Sequence, residues 1–236
     1  LFDRPHHRLV AEVLSRLDAD VLTGHRCWFG GGTAIALSCG EYRESVDIDF
    51  LVSDQRSYRA LRQAVKADGL SVLATGDLDL VRPARVDNHG IRAAVRSGGV
   101  PIKFEVVLEG RIELDEPPPQ QAICGIRTLT RVDQVASKLL ANDDRWADRS
   151  TFSRDLVDLA MMAPKTTELV AGAEKAVGAY GRSVGASLRS AVEQLRERPQ
   201  RLDECMRALA MRAPRAVLWQ SIRDVASRCA GIEVMA

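Results

Sequence analysis

Between Trp28 and Val52 the chain runs from a short apolar stretch into three consecutive glycines, through a helix start, and into an apolar strand bearing two aspartates one residue apart. Few folds accommodate that order. Gly30-Gly31-Gly32 after Cys27-Trp28-Phe29 reads as a strand entering a turn too tight for side chains, and residues 33–38 read as a short helix ended by Gly40. Residues 47–52 then read as a strand. Side chains alternate there, so Asp47 and Asp49 share one face while Ile48 and Phe50 enter the core.

A chain of 236 residues is long enough for one large domain or two modest ones. The 33 basic and 32 acidic residues give a formal charge of +1, which excludes a general polyanion binder and confines any nucleic-acid surface to a local patch. No stretch is apolar enough to span a membrane and residues 1–8 lack the apolar core of a signal peptide, so a cytoplasmic protein without membrane association is expected. The five cysteines form no Cys-x-x-Cys pair and read as reduced thiols. Only five of the basic residues are lysines, so each merits attention.

The periodicity changes partway along. Helical spacing over 6–22 predicts an opening amphipathic helix and spacing over 58–67 another, stopped at Asp68-Gly69. Residues 70–74, 86–95 and 102–108 read as strands. Pro117-Pro118-Pro119 then resists both helix and central strand, and everything after Thr130 carries helical periods, at 131–146, 152–163, 166–180, 183–197, 202–212 and 214–229. The expected class is α+β: a mixed sheet with flanking helices over 1–116, a linker over 117–126, and a helical bundle over 127–236.

Two carboxylates on one strand face lie about 7 Å apart by strand rise and can converge on a pair of metal ions roughly 4 Å apart. Magnesium suits such oxygen donors. A third acid is expected from the neighbouring strand, where Phe104, Val106 and Leu108 would face the core and leave Lys103 and Glu105 on the other side. With fourteen residues between Gly32 and Asp47, Gly31-Gly32-Thr33 opens a helix whose free N–H groups and dipole suit phosphate, although three glycines leave the register of the turn open by one residue. Lys138 and Arg145 are seven apart, within about 20° on a helix, and can offer two cations to a triphosphate. Asp155 and Asp158 share a face one turn apart, and either could be the functional one while the other holds Lys138 or Arg145.

Gly31-Gly32-x14-Asp47-Ile48-Asp49-Phe50 resembles the nucleotidyltransferases of the polymerase-beta type. More narrowly, the glycine block together with Tyr42-Arg43-Glu44-Ser45-Val46-Asp47, and later Lys138 to Arg145 and Arg154-Asp155-x-x-Asp158, is similar to the AbiEii/AbiGii toxin family, which includes the MenT toxins of mycobacteria. The likeness runs from about residue 27 to 160, and it departs from the wider pattern in having Glu105 where Asp is commoner. It implies a bacterial, Mg2+-dependent enzyme that moves a nucleoside monophosphate from an NTP to an acceptor hydroxyl with loss of pyrophosphate. The metal ligands implied are Asp47, Asp49 and Glu105. Nucleotide contacts would come from Gly31, Gly32, Thr33, Arg43, Ser45, Lys138, Arg145 and Asp158, and the catalytic set is Asp47, Asp49, Lys138 and Asp155, with Asp155 favoured over Asp158.

Residues 182–215 hold eight arginines against four acids, with Tyr180 and Trp219 the nearby aromatic residues, a composition suited to gripping structured RNA by its backbone. The resemblance implies an RNA 3′ end as acceptor, tRNA above all, since some toxins of the family add nucleotides there and block aminoacylation; the alternative is a small-molecule or protein hydroxyl. The resemblance also implies a cognate antitoxin as partner, and a monomeric enzyme is expected.

Overall fold

The computed structural model describes residues 2–233, which form two compact units. The first comprises residues up to Glu41 together with Ser45–Thr130. The second comprises Tyr42–Glu44 and the chain from Arg131 onward.

The first unit is built on a five-stranded mixed sheet. Its strands are β1 (Trp28–Gly30), β2 (Ile48–Val52), β3 (Arg85–Val86), β4 (Gly90–Ser97) and β5 (Val100–Leu108), in the order β1-β2-β5-β4-β3. Among the strand pairings of this sheet β2–β5 is parallel and the other three are antiparallel. Alternation along β2 buries Ile48, Phe50 and Val52 and leaves Asp49 and Leu51 partly exposed. Phe29, Phe50 and Phe104 stack across β1, β2 and β5 with ring centroids 5.6 and 5.5 Å apart, forming the centre of the core. Asp47 stands just before β2 rather than inside it.

Three local expectations are corrected. The opening helix is two helices, α1 (Pro5–Leu14) and α2 (Ala19–Gly24), because the Asp18 carboxylate accepts the N–H groups of Asp20 and Val21 and starts a new helix. After α3 (Gly31–Ser38) and α4 (Gln55–Asp68), the apolar run read as a strand over 70–74 is a 3₁₀ turn, Leu70–Leu73, that buries Leu70 and Leu73. Short apolar runs carry no period that separates the two. The run over 86–95 is a hairpin of β3 and β4, since Asp87 accepts the N–H groups of His89 and Gly90 and turns the chain.

The stretch read as a linker carries structure of its own. Cys124 and Gly125 both have positive φ, 50° and 82°, which suits a tight hairpin between β6 (Ala122–Ile123) and β7 (Ile126–Arg127). The chain beyond this ribbon rejoins the sheet unit, where Leu129 donates its N–H to the carbonyl of Phe29.

The second unit is helical: α5 (Arg131–Arg145), α6 (Arg154–Met161), α7 (Thr166–Tyr180), α8 (Ser183–Glu197), α9 (Pro199–Ala208) and α10 (Arg215–Glu233). Leu139, Leu156, Leu159, Leu169, Leu188, Leu202, Leu218 and Ile222 are almost wholly buried in it. Among the described residues no helix is long and apolar enough to cross a membrane.

Candidate active site

In the parallel β2–β5 pairing Asp49 stands opposite Glu105. Their chain neighbours Ile48, Phe50, Phe104 and Val106 are fully buried, so alternation turns both acids to the other face of the sheet, where Asp49, Glu105 and Asp47 are all partly exposed. The glycine turn meets this face. Gly31 has φ +68°, and a Cβ there would lie 2.5 Å from Oδ2 of Asp49. Gly31 is thus the glycine the turn requires, both for its backbone and for the room it leaves to the carboxylate. Gly30 ends β1 and Gly32 lies in the first turn of α3.

Thr33 and Ser45 come together differently from a pair of open phosphate ligands. Thr33 is buried, and its hydroxyl lies 2.9 Å from that of Ser45.

Glu105 has cationic partners. The Lys103 ammonium donates to Oε2 at 2.6 Å, and Nε of Arg92, its opposite number on β4, lies 3.4 Å from Oε1. Partial burial would lower the Lys103 pKa, but the hydrogen bond and charge of Glu105, joined by the charges of Asp49 and Asp47, hold it above its ordinary value. Lys103 therefore stands beside the candidate site, although the residues expected to form that site do not include it. The available signal was its place on Glu105's face and the scarcity of lysine.

Whether this face suits a divalent ion is a question of donor chemistry. Asp47, Asp49 and Glu105 offer only hard oxygens, and the missing side chain at Gly31 leaves a cradle beside Asp49. The residues fit such an ion in donor type. As they stand, no three of His, Cys, Asp and Glu gather into a metal site among the described residues, and the positive charges beside Glu105 are those of Lys103 and Arg92.

The helical unit holds a second charged cluster, and its hub is Asp158. This carboxylate, with no exposure, accepts two bonds from Arg43, Nε at 2.6 Å and Nη2 at 3.0 Å, and a third from the Tyr42 hydroxyl at 2.7 Å. Nζ of Lys138 lies 2.6 Å from it and 3.0 Å from Asp155. Asp155 in turn receives a two-point grip from Arg145, at 2.7 and 2.9 Å. Burial works against every charge here. Yet the charges of Asp158 and Asp155 hold Lys138 above its ordinary pKa, while Lys138 with Arg145 holds Asp155, and Arg43 with Lys138 holds Asp158, below the usual carboxylate range. Arg145 also lies in the field of Asp144 and Asp148.

Arg43, Lys138, Arg145, Asp155 and Asp158 thus form one network, with Arg145 about a third exposed and Asp158 sealed. Phe152 and Ser153, both at positive φ, lead into α6 and its Asp155. Of the eight arginines over 182–215, Arg201 is a core residue bonded to Glu204 and the Arg149 carbonyl, whereas the other seven are exposed.

The family of the nucleotidyl transferase AbiEii toxin, of the type IV toxin–antitoxin system, matches residues 12–225. The chain belongs to this family. It is a nucleotidyltransferase of the AbiEii toxin group, and its mixed sheet with helices has the fold of solved relatives. A candidate nucleotidyltransferase from Helicobacter pylori is 16% identical, with a TM-score of 0.55 over 98% of this chain and 96% of that one. JHP933 from the same organism is 14% identical, with a TM-score of 0.56 over 100% and 96%. MenT4, a nucleotidyltransferase toxin of Mycobacterium tuberculosis, is 20% identical over 73% of this chain and 65% of its own, with a TM-score of 0.45. No protein of curated function matches the chain in sequence.

Proposed function

We propose that this AbiEii toxin transfers a nucleoside monophosphate from an NTP to the 3′ end of an RNA, tRNA above all, in a Mg2+-dependent reaction restrained by a cognate antitoxin. The observation that carries the reading is the in-register pair Asp49 and Glu105, with Asp49 seated against the Gly31 turn.

In this reading Asp47, Asp49 and Glu105 would hold the divalent ions. The bound metal supplies charge neutralisation to the triphosphate and acidity to the attacking hydroxyl. The glycine turn and the start of α3 present backbone N–H groups to phosphate, and the Thr33–Ser45 pair fixes the chain beside it. Lys138 and Arg145 are the cations for the triphosphate, held in place by Asp155 and Asp158. The acceptor oxygen bonds to the α-phosphorus, pyrophosphate leaves, and the hydroxyl proton passes to a carboxylate or to water. The exposed arginines of α8, α9 and the start of α10 are the proposed grip on the RNA backbone.

Incubation with Mg2+, each α-labelled NTP in turn and total tRNA tests this. Label should appear in RNA and vanish with Asp47→Ala. No transfer to RNA by the wild type with any nucleotide sinks the reading.

A further inference from the structure

Residues 42–47, between Glu41 and β2, form neither helix nor strand, so their backbone N–H groups depend on individual partners. That of Ser45 is donated to Nε2 of His7, at 3.2 Å. His7 lies in the first turn of α1 and is completely buried. A backbone amide only donates, so Nε2 must be the acceptor and the ring proton must sit on Nδ1. Nδ1 lies 2.7 Å from Oε1 of Glu41, which receives that proton as a hydrogen bond.

Glu41 is built for the purpose. Its φ is 54°, its carboxylate accepts the N–H groups of Asp3 and Arg4 at 2.7 and 3.0 Å, and its carbonyl accepts Nε of Arg4 at 3.0 Å. Burial would raise its pKa, but those two backbone bonds and His7 hold it below the ordinary value. At the far end, the Ser45 hydroxyl meets Thr33 in α3. Glu41, His7, Ser45 and Thr33 therefore make one chain of hydrogen bonds that joins the first turn of α1 to the first turn of α3 through Ser45, two residues before Asp47.

We infer that His7 is a positioning residue for nucleotide transfer: as the neutral Nδ1–H tautomer it holds the Ser45 backbone, and through it the approach to Asp47 and the glycine turn. This rests on the reading of Asp47 and that turn as the nucleotide site. An apolar side chain would fill the same core volume at less desolvation cost, so packing alone does not account for an imidazole here.

Nitrogen-15 NMR of the full-length wild-type protein at neutral pH reads the tautomer directly. A His7 ring protonated at Nδ1 alone supports the inference; one protonated at Nε2, or at both nitrogens, overturns it. His7→Leu and His7→Gln are then compared for Mg2+-dependent binding of ATP, GTP, CTP and UTP, and for KM and kcat of transfer. The glutamine amide oxygen can take the place of Nε2 as acceptor for Ser45 while giving up Glu41. Misplacement of the strand approach in His7→Leu should raise nucleotide KM about tenfold to a hundredfold, with His7→Gln within about threefold of wild type. A merely structural role would impair both variants alike, and that result, or an unimpaired His7→Leu, overturns the inference. Should His7→Leu fail to fold, the tautomer and the glutamine variant decide. If the wild type binds no nucleotide, the transfer reading fails and the tautomer alone decides whether His7 holds Ser45.

Discussion

Arg43 grips Asp158 through two parallel hydrogen bonds, 2.6 and 3.0 Å long, although 115 residues of chain separate them. Both side chains are buried, and the same carboxylate also faces Lys138. Removing its charge would take the carboxylate from buried Arg43 and leave buried Lys138 with Asp155. Asp158→Asn should therefore lower unfolding stability by about 3–5 kcal/mol, measured by urea denaturation. Asp155→Asn leaves Arg145 with access to water and should cost less stability but more nucleotide transfer. The reverse order of the two variants would exchange the roles assigned to these aspartates.

Acid should weaken this network in a defined window. Asp155 and Asp158 are held below the ordinary aspartate value of 3.8, so their contribution is complete above that value and is lost as pH falls through their lower folded values. Lys138 is raised, so its contribution is complete below its ordinary 10.5 and is lost as pH rises from there through the folded value. Urea midpoints should stay level from neutral down to about pH 5 and drop below about pH 4. The acid limb should be shallower in Asp155→Asn, and an identical limb in that variant would remove Asp155 from the account.

Gly31→Ala places a methyl group on Oδ2 of Asp49 and forces an L residue to φ +68°. Transfer should fall by about a hundredfold, as expected when a reacting group is displaced by roughly 1 Å, and stability by about 1–2 kcal/mol. Gly76→Ala meets nothing within 4 Å and serves as the neutral control. Comparable activity in both variants would refute the close approach.

Lys103 stands where an ion bound to Glu105 would need its charge displaced. Lys103→Met should thus lower the Mg2+ concentration for half-maximal nucleotide binding by about twofold to fivefold, the scale of a solvent-exposed ion pair. A higher Mg2+ requirement would mean that Lys103 assists the nucleotide instead of competing with the metal.

The carboxylate face was legible because a strand has a period of two: with Ile48, Phe50, Phe104 and Val106 assigned to the core, Asp49 and Glu105 had one direction left. The late motifs were legible as residues but not as a network. Spacing on one helix puts Lys138 and Arg145 on a common side, yet it carries no information that Asp158 would be claimed by Arg43 and Tyr42 from far upstream. His7 passed unnoticed for a similar reason. It shares a helical face with Val10 and Leu14, which marks burial, but Glu41 and Ser45 are more than thirty residues away. Arg201 looked like surface charge among its neighbours and proved to be core, a difference made by Glu204 and the Arg149 carbonyl.

Tyr42–Glu44 is counted with the helices although the chain on either side of it belongs to the sheet. A fragment cut at Arg131 would carry Asp158 without Arg43 or Tyr42, and one cut at Thr130 would keep three residues whose partners had been discarded. Neither half is an excisable module, and grafting a foreign helical half onto this sheet would have to import its own tripeptide into the middle of the first domain's sequence.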